Sequence, residues 1–143
     1  MKRHPHLEPL SDDHHRSLVL ARRIRLAVRE EPGHEPLTQF WDEMRRLFAS
    51  ELEPHFRVEE EQLFPALEAA GEHALAERGR REHARLRALG RRAPDPAVAA
   101  ELGELLHHHV RFEERELFPR AEAVLPDAVL EAAGKAALAA REA

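Results

Sequence analysis

The apolar residues of this chain recur every three or four positions, which is the spacing of amphipathic α-helices, and no segment shows the sustained alternation of a β-strand. The first helix that this pattern predicts has an inward face made of the following residues: Leu7, Leu10, His14, Leu18, Ala21, Ile24 and Val28. Pro32-Gly33 and Pro36 are expected to end this helix and to begin a linker.

Three further helices follow, with expected ranges of about 37–70, about 72–92 and about 97–124. Pro54, Pro65 and Pro119 fall inside the second and fourth of these, so kinks are expected there. Pro126-Asp127 opens an Ala-rich segment, which is predicted to form a short fifth helix packed on the outside.

Short linkers between long helices favour an all-α fold, namely an antiparallel up-down-up-down four-helix bundle with a C-terminal helical extension. The length of 143 residues suits one domain over 1–143. Within it, the pattern predicts two helical hairpins, over about 7–70 and about 72–124.

Composition narrows the possible functions. The 22 basic and 27 acidic side chains are interspersed and leave a net charge of −5, so no nucleic-acid partner is expected. The absence of cysteine excludes disulfides, thiolate metal sites and cysteine nucleophiles. No apolar run approaches the roughly 20 residues that span a bilayer, so we expect a cytoplasmic protein without a membrane partner. The unusual feature is histidine, which occurs 11 times.

Two segments of the chain repeat each other. HFRVEEEQLFPALEA, from His55, and HVRFEERELFPRAEA, from His109, are identical at nine of fifteen positions. The preceding helices repeat more weakly, as DDHHRSL around His14 and REHARL around His83. The repeat predicts two related hairpins, each with a histidine on its first helix and a His-x-x-x-Glu pair on its second.

The spacing within the repeat is typical of metal ligands. His55 and Glu59 lie four residues apart on one helical face, as do His109 and Glu113, and both faces are predicted to point inward. Carboxylates buried together with imidazoles are costly unless a cation balances their charge. Imidazole and carboxylate without thiolate suit iron, manganese or zinc.

Six predicted ligands suit two ions about 3.5–4 Å apart better than one tetrahedral ion. The predicted ligands are His14, His55, Glu59, His83, His109 and Glu113. We expect His14 and His55 on one ion, His83 and His109 on the other, and both glutamates as bridges.

Several histidines compete for these places. His15 is the alternative to His14, but choosing it would turn Arg22 inward. Of three consecutive histidines, only His109 is in register with Glu113. The remaining histidines are expected at the surface or beside the ligands: His4, His6, His34, His73, His107 and His108.

Glu60 and Glu114 also repeat, but they lie about 100° around the helix from the inward face. We expect them to pair outward with arginines, and contact with the ligands is the alternative. The repeated Phe64-Pro65 and the matching Phe-Pro pair of the second segment are expected to serve packing and kinking.

At these residues the sequence resembles the hemerythrin-like, His-His-Glu domain family. The matching segments are DDHH, HFRVEEEQLFP, REHARL and HVRFEERELFP, in this order over nearly the whole chain. The resemblance implies a four-helix bundle that holds two carboxylate-bridged, non-haem iron ions on the six predicted ligands. It also implies a small-molecule partner such as dioxygen, nitric oxide or peroxide.

One position departs from the pattern of the oxygen-carrying members, which have two histidines four residues apart on the third helix. Gly79 stands four residues before His83, so the predicted site has one histidine fewer. This favours a variant of the family over a simple oxygen carrier, with water or Glu82 in the free place.

Three functions remain open on the sequence alone. The first is a di-iron module that binds or senses a small molecule, and the second is a di-iron oxidase, peroxidase or nitric oxide reductase. The third is a structural bundle around zinc or manganese. Because the sequence offers no further acid, base or nucleophile, binding is favoured over an enzyme. The oligomeric state stays open.

Overall fold

A computed structural model of the chain describes residues 2–29 and 36–142. Within these ranges it contains five helices and no strand, so the predicted all-α fold is confirmed. The helices have the following bounds: α1, Glu8–Val28; α2, 37–69; α3, His73–Gly90; α4, 96–124; and α5, Asp127–Glu142. A 3-10 turn, Pro5–Leu7, precedes α1, and the predicted Pro32-Gly33 linker lies outside the described residues.

Two apolar clusters occupy opposite ends of the bundle. The tryptophan cluster includes Leu20, Ile24, Trp41, Met44, Leu86 and Leu102. The phenylalanine cluster includes Leu7, Leu10, Phe64, Ala76, Phe118 and Leu130. The N-terminal halves of α1 and α3 contribute to the phenylalanine cluster and their C-terminal halves to the tryptophan cluster. In α2 and α4 this order is reversed. The first four helices therefore run up, down, up and down.

Buried polar side chains lie between the two clusters. They are Asp13, His14, Ser17, His55, Glu59, His83, His109 and Glu113. Each of the four bundle helices contributes at least one of them, at the point where the helix passes from one cluster to the other. The apolar ends thus enclose a polar layer in the middle of the bundle.

The inward face of α1 differs from the prediction at one position. Leu18 is 37% exposed, while Ser17 is buried. Because Asp13 is buried as well as His14, the inward face is centred between these two residues, and the next turn of the helix places position 17 on it. The apolar pattern alone could not show this, since two of the inward residues are polar. Val28, which was also predicted inward, is half-buried against the core.

The prolines inside α2 and α4 are each preceded by a widened π-helical turn. These turns are Phe48–Leu52, Glu59–Leu63 and Glu113–Leu117. In each, the residue before the proline donates its N–H to the carbonyl five positions back, as Phe64 does to Glu59. Proline has no N–H and its ring clashes with the carbonyl four positions back, so the widened turn accommodates it. Two of the turns begin at Glu59 and Glu113, the predicted bridging residues.

The predicted fifth helix packs outside the four-helix bundle. Its buried residues are Leu130, Ala133, Gly134 and Ala137. It lies against α1, the middle of α2 and the Pro5–Leu7 turn. Gly134 allows the close approach, because a Cβ at this position would collide with the carbonyl of His6. None of the described helices is both long and apolar enough to cross a membrane.

Candidate metal centre

The six predicted ligands come together in the polar layer. All are buried, with at most 4% of each residue exposed: His14, His55, Glu59, His83, His109 and Glu113. They form two groups that share Glu59 and Glu113, one completed by His14 and His55 and the other by His83 and His109. Within each group, one potential ligand atom per residue lies within 4.8 Å of all the others.

All four imidazoles turn Nε2 toward the two central carboxylates. The distances are 2.7 Å for His14 to Glu113 Oε1, 3.3 Å for His55 to Glu59 Oε2, 3.0 Å for His83 to Glu59 Oε1 and 3.2 Å for His109 to Glu113 Oε2. Each carboxylate therefore presents one oxygen to the first pair of histidines and the other oxygen to the second pair. This is the orientation that a carboxylate needs to bridge two cations.

Several of these atoms have no hydrogen-bond partner among the described residues. They are Nε2 of His55, His83 and His109, both carboxylate oxygens of Glu59, and Oε2 of Glu113. A buried polar atom without a partner costs about 1–3 kcal/mol. Two ligand atoms that each lie about 2.1 Å from an ion, at right angles, are about 3 Å apart, close to the distances found here. The donor set therefore fits bound divalent cations.

Each of the four histidines is also held from behind by a carboxylate at Nδ1. The pairs are His14 with Glu114 at 2.6 Å, His83 with Glu60 at 2.7 Å, His109 with Glu82 at 2.7 Å and His55 with Asp13 at 3.0 Å. Such a contact fixes the ring and keeps the proton on Nδ1, so that Nε2 can face a metal. The four pairs repeat the internal symmetry of the two hairpins.

The expectation that Glu60 and Glu114 point outward was wrong in part. Both do contact arginines, Arg87 and Arg3 respectively, but both also hold a ligand histidine. A position 100° from the inward face of a bundle helix points toward the neighbouring helix rather than to solvent. Glu82 likewise supports His109 and is not in the cluster that the central carboxylates form.

The alternative histidines lie away from the centre. His15, His73 and His108 are exposed, and His107 is half-buried. His4 and His6 are also half-buried, contrary to prediction, because the Pro5–Leu7 turn packs against the start of α5, where both rings approach Asp127. His34 lies outside the described residues.

The supporting role of Asp13 was missed. The sequence repeats the acid-histidine pair Asp13-His14 as Glu82-His83. That repetition is the signal that could have indicated a function for both acids. Because each acid supports a histidine of the adjacent helix in its own hairpin, only the packed structure identifies its partner.

Protons balance the charge of the cluster in the metal-free protein. Burial would lower the pKa of His109, but the negative charge of Glu113, 3.2 Å from Nε2, and the hydrogen bond with Glu82 raise it to about 10. Burial opposes the ionisation of Glu113, yet the charge of His109 and neighbouring hydrogen bonds hold its pKa well below the ordinary value. Burial would raise the pKa of Glu60, but its hydrogen bonds with His83 and Arg87 lower that pKa to about 2.

Phe64 explains the missing fifth histidine. A Cβ built on Gly79 would lie 2.5 Å from Cζ of Phe64, so the phenyl ring fills the space that a side chain at position 79 would need. The same ring packs against His83, with ring centres 5.3 Å apart. The departure from the oxygen-carrying pattern is therefore a paired feature, in which glycine on α3 accommodates phenylalanine on α2.

We expect Gly79→Ala to destabilise the protein by about 1–3 kcal/mol, because the added methyl group overpacks against Phe64. At an unconstrained helical position the same change would stabilise by up to about 1 kcal/mol. Denaturant unfolding of the two single variants and of Gly79→Ala with Phe64→Leu would measure the coupling. Additive effects of the two substitutions would show that the ring does not limit position 79.

Cation binding is expected to release protons. At pH 7, His109 carries a proton on Nε2 in the metal-free protein because its pKa is about 10, and a metal ion must displace that proton. Glu113 is already ionised and releases none. Apparent affinity for Zn²⁺ should therefore rise about tenfold per pH unit below pH 10 for this proton alone. Calorimetric titrations in buffers of different ionisation heat would count the protons, with His108→Ala as a surface control. Binding independent of pH and buffer would contradict this charge balance.

Comparison with known proteins supports the interpretation of this cluster as a cation-binding site. The family model described as the Hemerythrin HHE cation binding domain matches residues 6–121, which is most of the chain and includes all six clustered residues. No curated protein and no solved structure matched. The matched range ends before α5 begins at Asp127. The chain belongs to the hemerythrin HHE family of cation-binding domains.

Proposed function

We propose that this protein holds two non-haem iron ions and uses them to bind or sense dioxygen or a related small molecule such as nitric oxide or peroxide. The observation that carries the proposal is the pair of buried ligand groups sharing Glu59 and Glu113, with ligand atoms that lack hydrogen-bond partners among the described residues. The family match supports cation binding, and the geometry supports two ions.

The placement of the ligands on facing bundle helices favours iron, whereas their number alone fits zinc equally well. Each group offers two imidazoles and one oxygen from each of two carboxylates, which makes four protein ligand atoms per ion. Four ligands complete a tetrahedral zinc site. An octahedral ion would keep open positions, and histidine with glutamate on facing bundle helices is the arrangement of known di-iron sites. Bound iron would supply the redox chemistry that takes up a small diatomic molecule.

The surrounding residues favour a small, uncharged ligand. The ring of Phe56 stacks on His83 with centres 4.0 Å apart, and Phe118 stacks on His14 at 5.4 Å. Together with Phe64, these rings line the histidines with apolar surface and limit the access of water. These apolar walls favour a small ligand that needs little hydration.

Four acidic side chains beside the ligand histidines already form hydrogen bonds with those histidines. Asp13, Glu60, Glu82 and Glu114 each hold a histidine Nδ1. They orient the ligands, and their hydrogen bonds leave them poorly placed to transfer protons to a substrate. We therefore place binding or sensing before an oxidase, peroxidase or nitric oxide reductase activity.

Protein purified from iron-replete cells should contain about two irons per chain and show oxo-to-iron charge-transfer absorption in air. Glu59→Gln and Glu113→Gln should each lose most of the iron and the absorption, since a bridging oxygen is removed. Glu61→Gln is the matched control, because Glu61 lies on the same helix but is exposed.

Colourless protein that takes up no metal after anaerobic loading with Fe²⁺ would overturn the proposal. Stoichiometric zinc or manganese in place of iron would favour a structural site. Turnover of a peroxide or of nitric oxide that Glu59→Gln abolishes would move the function from binding to catalysis.

A further inference from the structure

The C-terminal helix lies outside the matched family segment but covers one half of the centre. α5 begins at Asp127, whereas the match ends at residue 121. It packs on α1 and on the stretch of α2 that includes Glu53–Val58 and Glu59–Leu63. These are the segments that carry His14, His55 and Glu59. This helix beyond the matched range thus contacts the segments that carry His14 and His55, the histidines of one ligand group, and the shared Glu59.

Arg141, near the end of α5, contacts Asp13, the acid that holds His55 in that group. Its Nη2 and Nε lie 2.9 and 3.1 Å from Oδ1 of Asp13, and Nη2 donates to the carbonyl of Pro9 at 2.6 Å. The other oxygen of Asp13 faces Nδ1 of His55 at 3.0 Å. The buried Asp13 carboxylate therefore stands between the guanidinium of Arg141 and the imidazole of His55.

Among residues 2–29 and 36–142, no arginine from another helix pairs with the corresponding acid of the second hairpin. There Glu82 takes the place of Asp13, and its arginine partner is Arg78, four residues earlier on the same helix, at 3.0 Å. Asp13 has a comparable local partner in Arg16, at 2.9 Å. Arg141 is thus an additional contact on one side only, and it breaks the internal symmetry of the centre.

Arg141 also forms part of the wall of a cavity beside His55. A cavity of about 270 Å³ is lined by Asp13, Ser50, Pro54, His55, Ala137 and Arg141, among others. Without Arg141, water from this cavity would compete with His55 for the Asp13 carboxylate. The guanidinium satisfies the carboxylate oxygen that His55 does not use and so keeps the second oxygen directed at the ring.

We propose that Arg141 is a positioning residue, which holds Asp13 and thereby keeps His55 turned toward the shared carboxylates. Docking of α5 then controls how firmly the His14 and His55 group retains its cation, while the His83 and His109 group is unaffected. This inference rests on the proposed function, because it assigns the two halves of the centre different affinities.

The test compares Arg141→Gln with Arg16→Gln in the full chain. Both changes remove one cation from the same oxygen of Asp13, but only the first removes a contact made by α5. In metal-free protein labelled with ¹⁵N-histidine, the Nδ1–H of His55 should exchange with solvent faster in Arg141→Gln and stay protected in Arg16→Gln. Arg141→Lys should restore protection in part, and circular dichroism would verify that the helices remain folded.

The second readout is competition for Zn²⁺ between the protein and a chromophoric chelator. Arg141→Gln should weaken one of two binding steps about tenfold, the lower end of the effect of removing a ligand's supporting contact, and leave the other unchanged. Equal effects of Arg141→Gln and Arg16→Gln, or no effect in either readout, would overturn the inference. If the parent chain binds no cation, the proposed function fails, whereas the exchange of His55 still tests Arg141.

Discussion

The fold and the site of this protein both depend on two glutamates and four histidines that share a buried layer in the middle of the bundle. Two such carboxylates cannot be left there uncompensated, because the cost of burying an ion without a partner is several kcal/mol. The chain meets this constraint with imidazoles on all four bundle helices, and protons or cations then complete the balance. The same six residues tie the helices together, so the site and the fold support each other.

The surrounding layers follow from that constraint. Each imidazole has two ring nitrogens that need a partner. An acid from a neighbouring helix contacts Nδ1, so Nε2 stays directed at the central carboxylates. The apolar clusters on either side bury this polar layer, so its charges must be balanced within it. The shared carboxylates belong to the first residues of two widened turns, Glu59 and Glu113. These turns accommodate the prolines that follow them.

Much of this could be predicted from the sequence because the chain repeats itself. The doubled His-x-x-x-Glu pair, the helical spacing and the order of the segments were enough to predict the bundle and the six residues that the structure brings together. The role of Glu60 and Glu114 was harder to predict, since an angle around a helix does not show which helix lies beside it. Ser17 and Asp13 were missed on the inward face because an apolar pattern cannot detect buried polar residues. The contact of Arg141 with Asp13 joins residues 128 positions apart and needs the packed structure.

The most direct test of the account is diffraction from crystals of the iron-loaded protein on both sides of the iron absorption edge. The account predicts two anomalous peaks about 3.5–4 Å apart, one beside His14 and His55 and one beside His83 and His109, with Glu59 and Glu113 between them. A single peak, or no iron peak in the layer that these six residues form, would contradict it.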